Sequence, residues 1–213
     1  MLSFFVLMAK KSLAARRNPA LLRRGFAQRL GPERKLYLTV EGRKRLVSKF
    51  GLTESKLRLA AARLDKWKVD NCGSYSLLFC SMRKMFGSFR GKSILELGSA
   101  TADFASVLKR LGAKPVVLDR VGVNPRAKVE GHEGNFEDIG WLFKGRNFDA
   151  VISNWSFGNY PANNQQALYG IYDSLRPRGY LIVSNDRPGD IGKEKLNAAG
   201  FKVLLYAQNL GST

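Results

Sequence analysis

Cysteine and histidine are scarce in this chain of 213 residues, which contains only Cys72, Cys80 and His132. Two cysteines eight residues apart, with no second pair, form neither a disulfide framework nor the ligand set of a structural zinc site. We therefore expect both thiols to be reduced and buried. We also expect His132 to lie in a loop and the protein to hold no metal.

Long apolar segments are missing as well. The apolar run at residues 2–9 is too short to span a bilayer and has no basic stretch before it. It therefore predicts neither a membrane anchor nor a secretory signal, and no membrane partner is expected.

Acidic residues are absent from the first 32 positions, which hold seven basic ones. An Arg-rich, acid-free start with many Ala, Leu and Ser residues is typical of a mitochondrial presequence. The letters RRGFA look like a matrix-protease site, with Arg24 at the third position before a cut after Phe26. Residues 1–31 are interpreted either as a presequence that directs the protein to the mitochondrial matrix or as a basic arm that binds RNA.

Positive charge is concentrated in one part of the chain. Residues 1–92 contain 22 Lys and Arg against 5 Asp and Glu, whereas residues 93–213 contain 14 against 12. A near-neutral domain with a strongly basic extension favours a polyanionic partner, above all RNA. The alternative is a cationic surface that only keeps the protein soluble.

Residues 32–90 predict a basic helical module. Gly51 ends one helix and Thr53 caps a second, whose apolar residues recur at helical spacing. A third apolar segment, residues 74–89, predicts a helix that leads into the next domain. Such helices either dock on nucleic acid or form a hairpin that covers the domain.

Strand and helix signals alternate through the third predicted region, residues 91–213. Five apolar runs predict strands, at residues 92–97, 114–120, 148–155, 179–186 and 201–209, with helical patterns between them. This order predicts an α/β fold in which a parallel sheet carries helices on both faces. Ligands of such a sheet bind beyond the carboxyl ends of its strands.

Residues suited to a nucleotide follow several of the predicted strands. The letters LELGSATAD place the turn glycine Gly98 before a helix, whose free N–H groups favour a carboxylate or phosphate. Asp119 follows 21 residues later, close to the spacing at which an acidic side chain accepts hydrogen bonds from ribose hydroxyls. Asn135 and Phe136 are suited to an adenine edge and face. Residues 153–160, SNWSFGNY, add aromatic and amide groups.

Five motifs follow one another in this region: LELGSATADF, VVLD, GNFED, FDAVISN and LRPRGYLIVS. In this order and at these intervals they resemble a class I methyltransferase that depends on S-adenosylmethionine, and the resemblance covers residues 93–206. A dehydrogenase is the competing nucleotide-binding interpretation, but the LRPRGYLIV turn and the hairpin-like end of the chain favour the methyltransferase. The resemblance implies a Rossmann-like fold and S-adenosylmethionine as the cofactor, unless its binding has been lost.

The resemblance also implies cofactor-binding and catalytic residues. Glu96, Gly98 and Ala100 would border the methionine part of the cofactor. Asp119 would hold the ribose, and Asn135 and Phe136 would line the adenine. Asn154 and Trp155 would lie beside the transferring methyl group. Asp186, at the end of the predicted strand at residues 179–186, is the nearby candidate for a base if the acceptor is a hydroxyl.

Three departures from the family pattern leave two hypotheses open. Alanine stands at positions 100 and 102, where glycine is usual, and Asn135 replaces an acidic residue. The motif after residue 153 lacks both the prolines of amine methylators and the Asp and Lys of ribose 2′-hydroxyl methylators. The first hypothesis is an enzyme that methylates RNA, with mitochondrial ribosomal RNA as the favoured substrate. The second is an inactive structural component or assembly factor of the mitochondrial ribosome, bound to ribosomal RNA and ribosomal proteins.

Overall fold

The computed structural model describes residues 4–10, 51, 53–69, 72–99, 101–157, 164–185 and 191–207. Residues 11–50, which hold most of the expected presequence and the first helix of the basic module, lie outside this set. Within the described residues the strands are β1 Phe4–Lys10, β2 Ser93–Leu97, β3 Lys114–Asp119, β4 Glu130–Glu133, β5 Phe148–Asn154, β6 Leu175–Asn185 and β7 Phe201–Ala207. The α-helices are α1 Glu54–Lys66, α2 Cys72–Phe86, α3 Asp103–Arg110, α4 Ile139–Leu142, α5 Asn164–Ser174 and α6 Lys193–Ala198.

The seven strands form one sheet in the order β4-β3-β2-β5-β6-β1-β7. All the pairs from β4 to β6 are parallel, whereas β1 runs antiparallel to both β6 and β7. From the central strand β2 the chain moves outward to β3 and β4 and then returns to β5 on the other side. The strand order therefore reverses between β2 and β5, and a crevice at the carboxyl ends of these two strands is where such a sheet binds ligands.

Helices cover both faces of the sheet, as the sequence predicts. On one face, α4, α5 and α6 enclose an apolar cluster that includes Leu95, Val151, Leu181 and Leu168. On the other face, α1, α2 and α3 enclose a cluster that includes Ile94, Ile152 and Ile182, the neighbours of these strand residues in the chain. The alternation arises because successive side chains of a strand point to opposite faces.

The basic module packs against the sheet through its helices α1 and α2. Thr53 caps α1 as predicted, since its side chain accepts a hydrogen bond from the Lys56 N–H at 3.3 Å. Leu57 and Leu64 are buried in the same apolar cluster as Ile94 of β2. These helices therefore cover one face of the domain, and the boundary at residue 90 stays a prediction.

Three sequence expectations differ from the fold. The chain near residue 5 forms strand β1 of the sheet, which the sequence analysis did not predict, and β7 pairs with it. His132 lies in the edge strand β4 instead of a loop, with its Nε2 atom 3.1 Å from Glu130 Oε1. Cys80 is a free thiol that is only half-buried. β1 was missed because its apolar residues suit a presequence as well as a strand, and because its partners β6 and β7 lie near the other end of the chain.

Candidate cofactor and active site

The turn after β2 lies at the crevice and packs against the loop that follows β5. Gly98 has φ +67°, and a Cβ at this position would lie 2.3 Å from both Cβ and Oγ of Ser156. The Ser156 hydroxyl donates a hydrogen bond of 2.7 Å to the Gly98 carbonyl. The Gly98 N–H donates to the Leu118 carbonyl at 2.8 Å. Both the backbone conformation and the close contact with Ser156 therefore require glycine here.

Ala102 stands in a turn position where the family usually has glycine, and its methyl group packs into the core. Its φ of +57° is left-handed, and it caps the start of α3. The residue is fully buried in an apolar cluster with Ala105 and Val117. The left-handed backbone costs about 1 kcal/mol for a residue with a Cβ. Burial of the methyl group offsets part of that cost.

Glu96 is the buried acid at the end of β2. Its side chain is 1% exposed, and Oε1 accepts a hydrogen bond of 2.9 Å from the Tyr75 hydroxyl of α2. Burial raises the pKa of Glu96 to about 7, although the hydrogen bond from Tyr75 lowers it in part. The carboxyl group therefore changes its charge near neutral pH.

Tyr75 connects three elements around this acid. Its ring stacks on Phe104 of α3, with ring centroids 4.5 Å apart, and its hydroxyl also has a hydrogen bond with the Asn154 side chain. Burial, followed by the charge of Glu96, raises the pKa of Tyr75 well above its ordinary value. The hydroxyl thus stays protonated, and it donates its hydrogen bond to Glu96.

Asp119 is held at the carboxyl end of β3. It is 8% exposed, and its Oδ1 accepts a hydrogen bond of 3.1 Å from the Val121 N–H. Its backbone carbonyl accepts a second one from the Gly134 N–H at 3.1 Å, which joins the ends of β3 and β4. The carboxylate is therefore fixed at the edge where the sequence analysis expects a ribose.

Asn135 and Phe136 follow β4 and take different positions. The Asn135 N–H donates to Asp138 Oδ2 at 2.9 Å, and Asn135 is exposed. The half-buried Phe136 ring meets the Phe157 ring edge-on, with centroids 5.7 Å apart. Its Cζ atom lies 3.4 Å from the point that a Gly98 Cβ would occupy. The fold therefore brings Phe136 directly beside the glycine turn.

The residues after β5 divide between the site and the core. Asn154 ends the strand and is 7% exposed, and the half-buried Trp155 has φ +64°. The Trp155 N–H donates to the Ser184 carbonyl of β6 at 2.7 Å. Phe157 is fully buried, so it belongs to the core and is not available to stack on a substrate. Asn154 and Trp155 remain at the carboxyl edge, where the Asn154 side chain has a hydrogen bond with the Tyr75 hydroxyl beside Glu96.

Two predicted site residues, Ala100 and Asp186, lie outside the described residues. Two residues of the site, Tyr75 and Ser156, were missed by the sequence analysis. Tyr75 precedes Glu96 by 21 positions and lies in a helix of the basic module, and no local pattern links the two. Ser156 stands inside the motif after β5, but only the fold shows that it meets Gly98.

The described residues contain no group of three His, Cys, Asp or Glu that could hold a metal ion. None of their helices is long and apolar enough to cross a bilayer.

The sequence matches the methyltransferase domain family over residues 76–204, which is more than half of the chain. The protein belongs to this family. The match confirms the resemblance to a class I, Rossmann-like methyltransferase, and S-adenosylmethionine is the cofactor of that class.

Solved methyltransferase structures are similar to this chain over part of its length. An S-adenosylmethionine-dependent methyltransferase from Archaeoglobus fulgidus is 14% identical, with a TM-score of 0.45, and the match covers 60% of this chain and 67% of that one. One from Mesorhizobium loti is 17% identical, with a TM-score of 0.41, and the match covers 48% and 50% of the two chains. The chain thus spans about half the length of the Mesorhizobium protein. No curated protein matches it.

Proposed function

We propose that this methyltransferase transfers the methyl group of S-adenosylmethionine to RNA. The observation that carries the proposal is the convergence of Glu96, the Gly98 turn, Asp119 and Asn154 at one edge of the sheet, around the point where the strand order reverses. Polar groups gathered at this point are what a doubly wound sheet uses to bind a nucleotide-like ligand.

The residues at this edge fit the cofactor chemically. Asp119 presents a fixed carboxylate to ribose hydroxyls, and Phe136 presents part of an aromatic ring beside the turn. The positive end of the α3 dipole lies at this edge and favours an anionic group such as the methionine carboxylate. The cofactor, when bound, supplies a methyl group on a sulfonium, which is a good leaving group. The main task of the protein is then to position donor and acceptor.

The acceptor side of the site favours an exocyclic amine over a hydroxyl. The Asn154 amide is suited to hydrogen-bond an amine N–H, and the half-buried Trp155 offers a ring next to it. An amine needs no strong base to react, whereas a ribose hydroxyl needs one, and Asp186 is the candidate for that role. Asn154 and Trp155 are therefore proposed to orient a base of the substrate.

The basic face of α1 supports RNA as the substrate. Its buried residues Leu57, Ala60 and Leu64 turn toward the sheet, while its cationic side chains are exposed: Lys56, Arg58, Arg63 and Lys66. Residues 1–92 together carry 22 Lys and Arg. Contacts of this kind with phosphates make the affinity fall steeply with salt. RNA binding is therefore expected to weaken strongly between 50 mM and 200 mM salt.

Calorimetric titration of S-adenosylmethionine into the protein tests the cofactor step. We expect micromolar binding that Asp119→Asn weakens at least about tenfold, since each lost charged hydrogen bond contributes about 1.5–3 kcal/mol. The matched control is Asp173→Asn, an exposed carboxylate in α5, which is expected to bind like the unchanged protein. Absence of binding at millimolar cofactor would contradict the proposal.

One observation favours a second candidate function, an inactive component or assembly factor of the mitochondrial ribosome. Ser156 and Phe136 both lie against Gly98, so the protein itself covers part of the glycine turn. This candidate predicts salt-dependent RNA binding together with no detectable cofactor binding. The same titration, followed by RNA binding assays at two salt concentrations, separates the two functions.

The mitochondrial matrix is proposed as the site of action, on the basis of the acid-free, Arg-rich start of the chain. A fluorescent protein fused behind residues 1–31 is expected to enter mitochondria. A matched fusion in which Arg16, Arg17, Arg23 and Arg24 are changed to Gln is expected to stay outside. Equal distribution of the two fusions would contradict the proposal.

A further inference from the structure

The strand β1 lies inside the sheet although it comes from the start of the chain. It pairs with β6 from Phe4 to Ala9 on one side and with β7 from Phe5 to Lys10 on the other. Its pairing with β7 shifts register between Leu7 and Met8. Both backbone edges of the segment are thus used over nearly its whole length.

The position of β1 makes β7 dependent on it. In the strand order of the described residues, β7 is joined to the rest of the sheet only through β1. Without β1, the edges of β6 and β7 would both present unpaired N–H and C=O groups. Such edges lose their hydrogen bonds and become templates for pairing with other chains.

The direction of β1 separates its role from that of the basic segment. Phe4 lies opposite Asn185 at the carboxyl edge, and Lys10 lies opposite Phe201 at the amino edge. The chain therefore leaves β1 at the edge opposite to the Gly98 turn. Residues 4–10, FFVLMAK, form a strand of the sheet, and the Arg-rich residues begin after this strand has ended.

We propose that residues 4–10 are a permanent strand of the folded protein, which the slot between β6 and β7 holds even when the chain is cut after Phe26. The slot recognises this segment as an added strand, through main-chain hydrogen bonds on both of its edges. A protease cut at the presequence-like site would then yield a protein of two chains and would not release the leader. The inference does not depend on the proposed methyltransferase activity.

The test inserts a specific protease site between Phe26 and Ala27 in the full chain. After cleavage, gel filtration and mass spectrometry of the protein peak are expected to find residues 1–26 still bound, with the Tm unchanged. Release of the peptide from the cleaved protein would overturn the proposal. Hydrogen exchange of the uncut protein gives a second readout, in which the amides of residues 5–9 are expected to be as protected as those of β6.

Leu7→Pro provides the variant that removes a backbone N–H from the middle of β1. The cleaved variant is expected to release the peptide, while the matched Leu7→Ile variant, which keeps the N–H, is expected to retain it. Equal retention by the two variants would show that strand pairing does not hold the segment and would overturn the proposal. If Leu7→Pro does not fold, cleavage of the protein without this substitution still decides, because release of residues 1–26 from it overturns the proposal.

Discussion

The two edges of the sheet each hold a buried carboxylate, in opposite electrostatic surroundings. At the amino edge, Asp149 forms ion pairs with Lys92 at 3.4 Å and with Arg176 at 2.8 Å. At the carboxyl edge, Glu96 has neutral hydrogen-bond partners, above all the Tyr75 hydroxyl, and it forms no ion pair with the described residues. The two acids are similarly inaccessible, at 8% and 1% exposure.

This difference separates an acid that two ion pairs hold from one at the edge where the cofactor is proposed to bind. Two cations compensate the charge of Asp149, so that this carboxylate connects the starts of neighbouring strands. Glu96 has no such compensation, and burial raises its pKa to about 7. A buried acid whose charge changes near neutral pH is typical of functional sites.

The largest expected effect concerns the glycines at the two edges. Gly98→Ala places a Cβ at 2.3 Å from Ser156 atoms and forces alanine into φ +67°. We expect a loss of about 4 kcal/mol in the free energy of unfolding, the sum of overpacking and left-handed strain. Gly145, in the turn before β5, has φ +80° and no atom within 4 Å of its added Cβ. Gly145→Ala is therefore expected to lose only about 1 kcal/mol. Equal losses in urea denaturation would contradict the packing at Gly98.

The second effect is a pH dependence that Glu96 alone contributes. The pKa of Glu96 is about 7 in the folded protein and near its ordinary value of 4.5 in the unfolded chain. The folded state therefore binds the proton more tightly, and this stabilisation is fully present below pH 4.5 and lost as the pH rises through 7. Relative to Glu96→Gln, the free energy of unfolding is expected to fall by about 3 kcal/mol across that window. Urea denaturation at intervals across it measures the difference, and parallel profiles would exclude a buried titrating Glu96.

The third effect is the loss of the charged anchor at the amino edge. Asp149→Asn removes both ion pairs and weakens the hydrogen bond of 2.9 Å that Asp149 Oδ2 accepts from the Ser93 N–H. We expect a loss of about 2 kcal/mol, because Lys92 and Arg176 are partly exposed and regain water. Glu130→Gln is the control, since this acid pairs with Arg146 at the exposed edge strand and is expected to lose under about 1 kcal/mol. An unchanged urea midpoint for Asp149→Asn would show that the two ion pairs of Asp149 do not stabilise the fold, which contradicts the difference drawn between the two edges.

The smallest effect restores the glycine that the family pattern favours at position 102. Ala102→Gly relieves a φ of +57° but removes a fully buried methyl group. The two contributions are each about 1 kcal/mol and opposite in sign, so the free energy of unfolding is expected to change by less than about 1 kcal/mol. The control is Ala105→Gly, which also removes a fully buried methyl group but lies inside α3, where there is no φ strain to relieve. The difference between the Tm values of the two variants measures the strain that Ala102→Gly relieves. A loss as large as that of the control would show that Ala102 is not strained.

Much of the candidate site could be predicted because its residues follow recognisable strand ends. Gly98 and Asp119 were placed at the carboxyl edge from a strand–turn–helix pattern, and the fold puts both there. Phe157 was placed among the site aromatics but packs in the core. Aromatic residues suit both environments, and the local sequence does not state which way such a side chain turns.

The sequence by itself determined the elements whose signals are local: the alternation of apolar strands and helices, the cap at Thr53 and the turn at Gly98. These depend on backbone preferences and side-chain spacing within a few residues. Only the tertiary structure decided that Tyr75 meets Glu96, that Ser156 covers Gly98 and that β1 enters the sheet between β6 and β7. Those contacts join segments far apart in the chain. Which strand edge or buried acid a segment meets depends on the packing of the whole fold, because many segments have compatible hydrogen-bonding groups and apolar side chains.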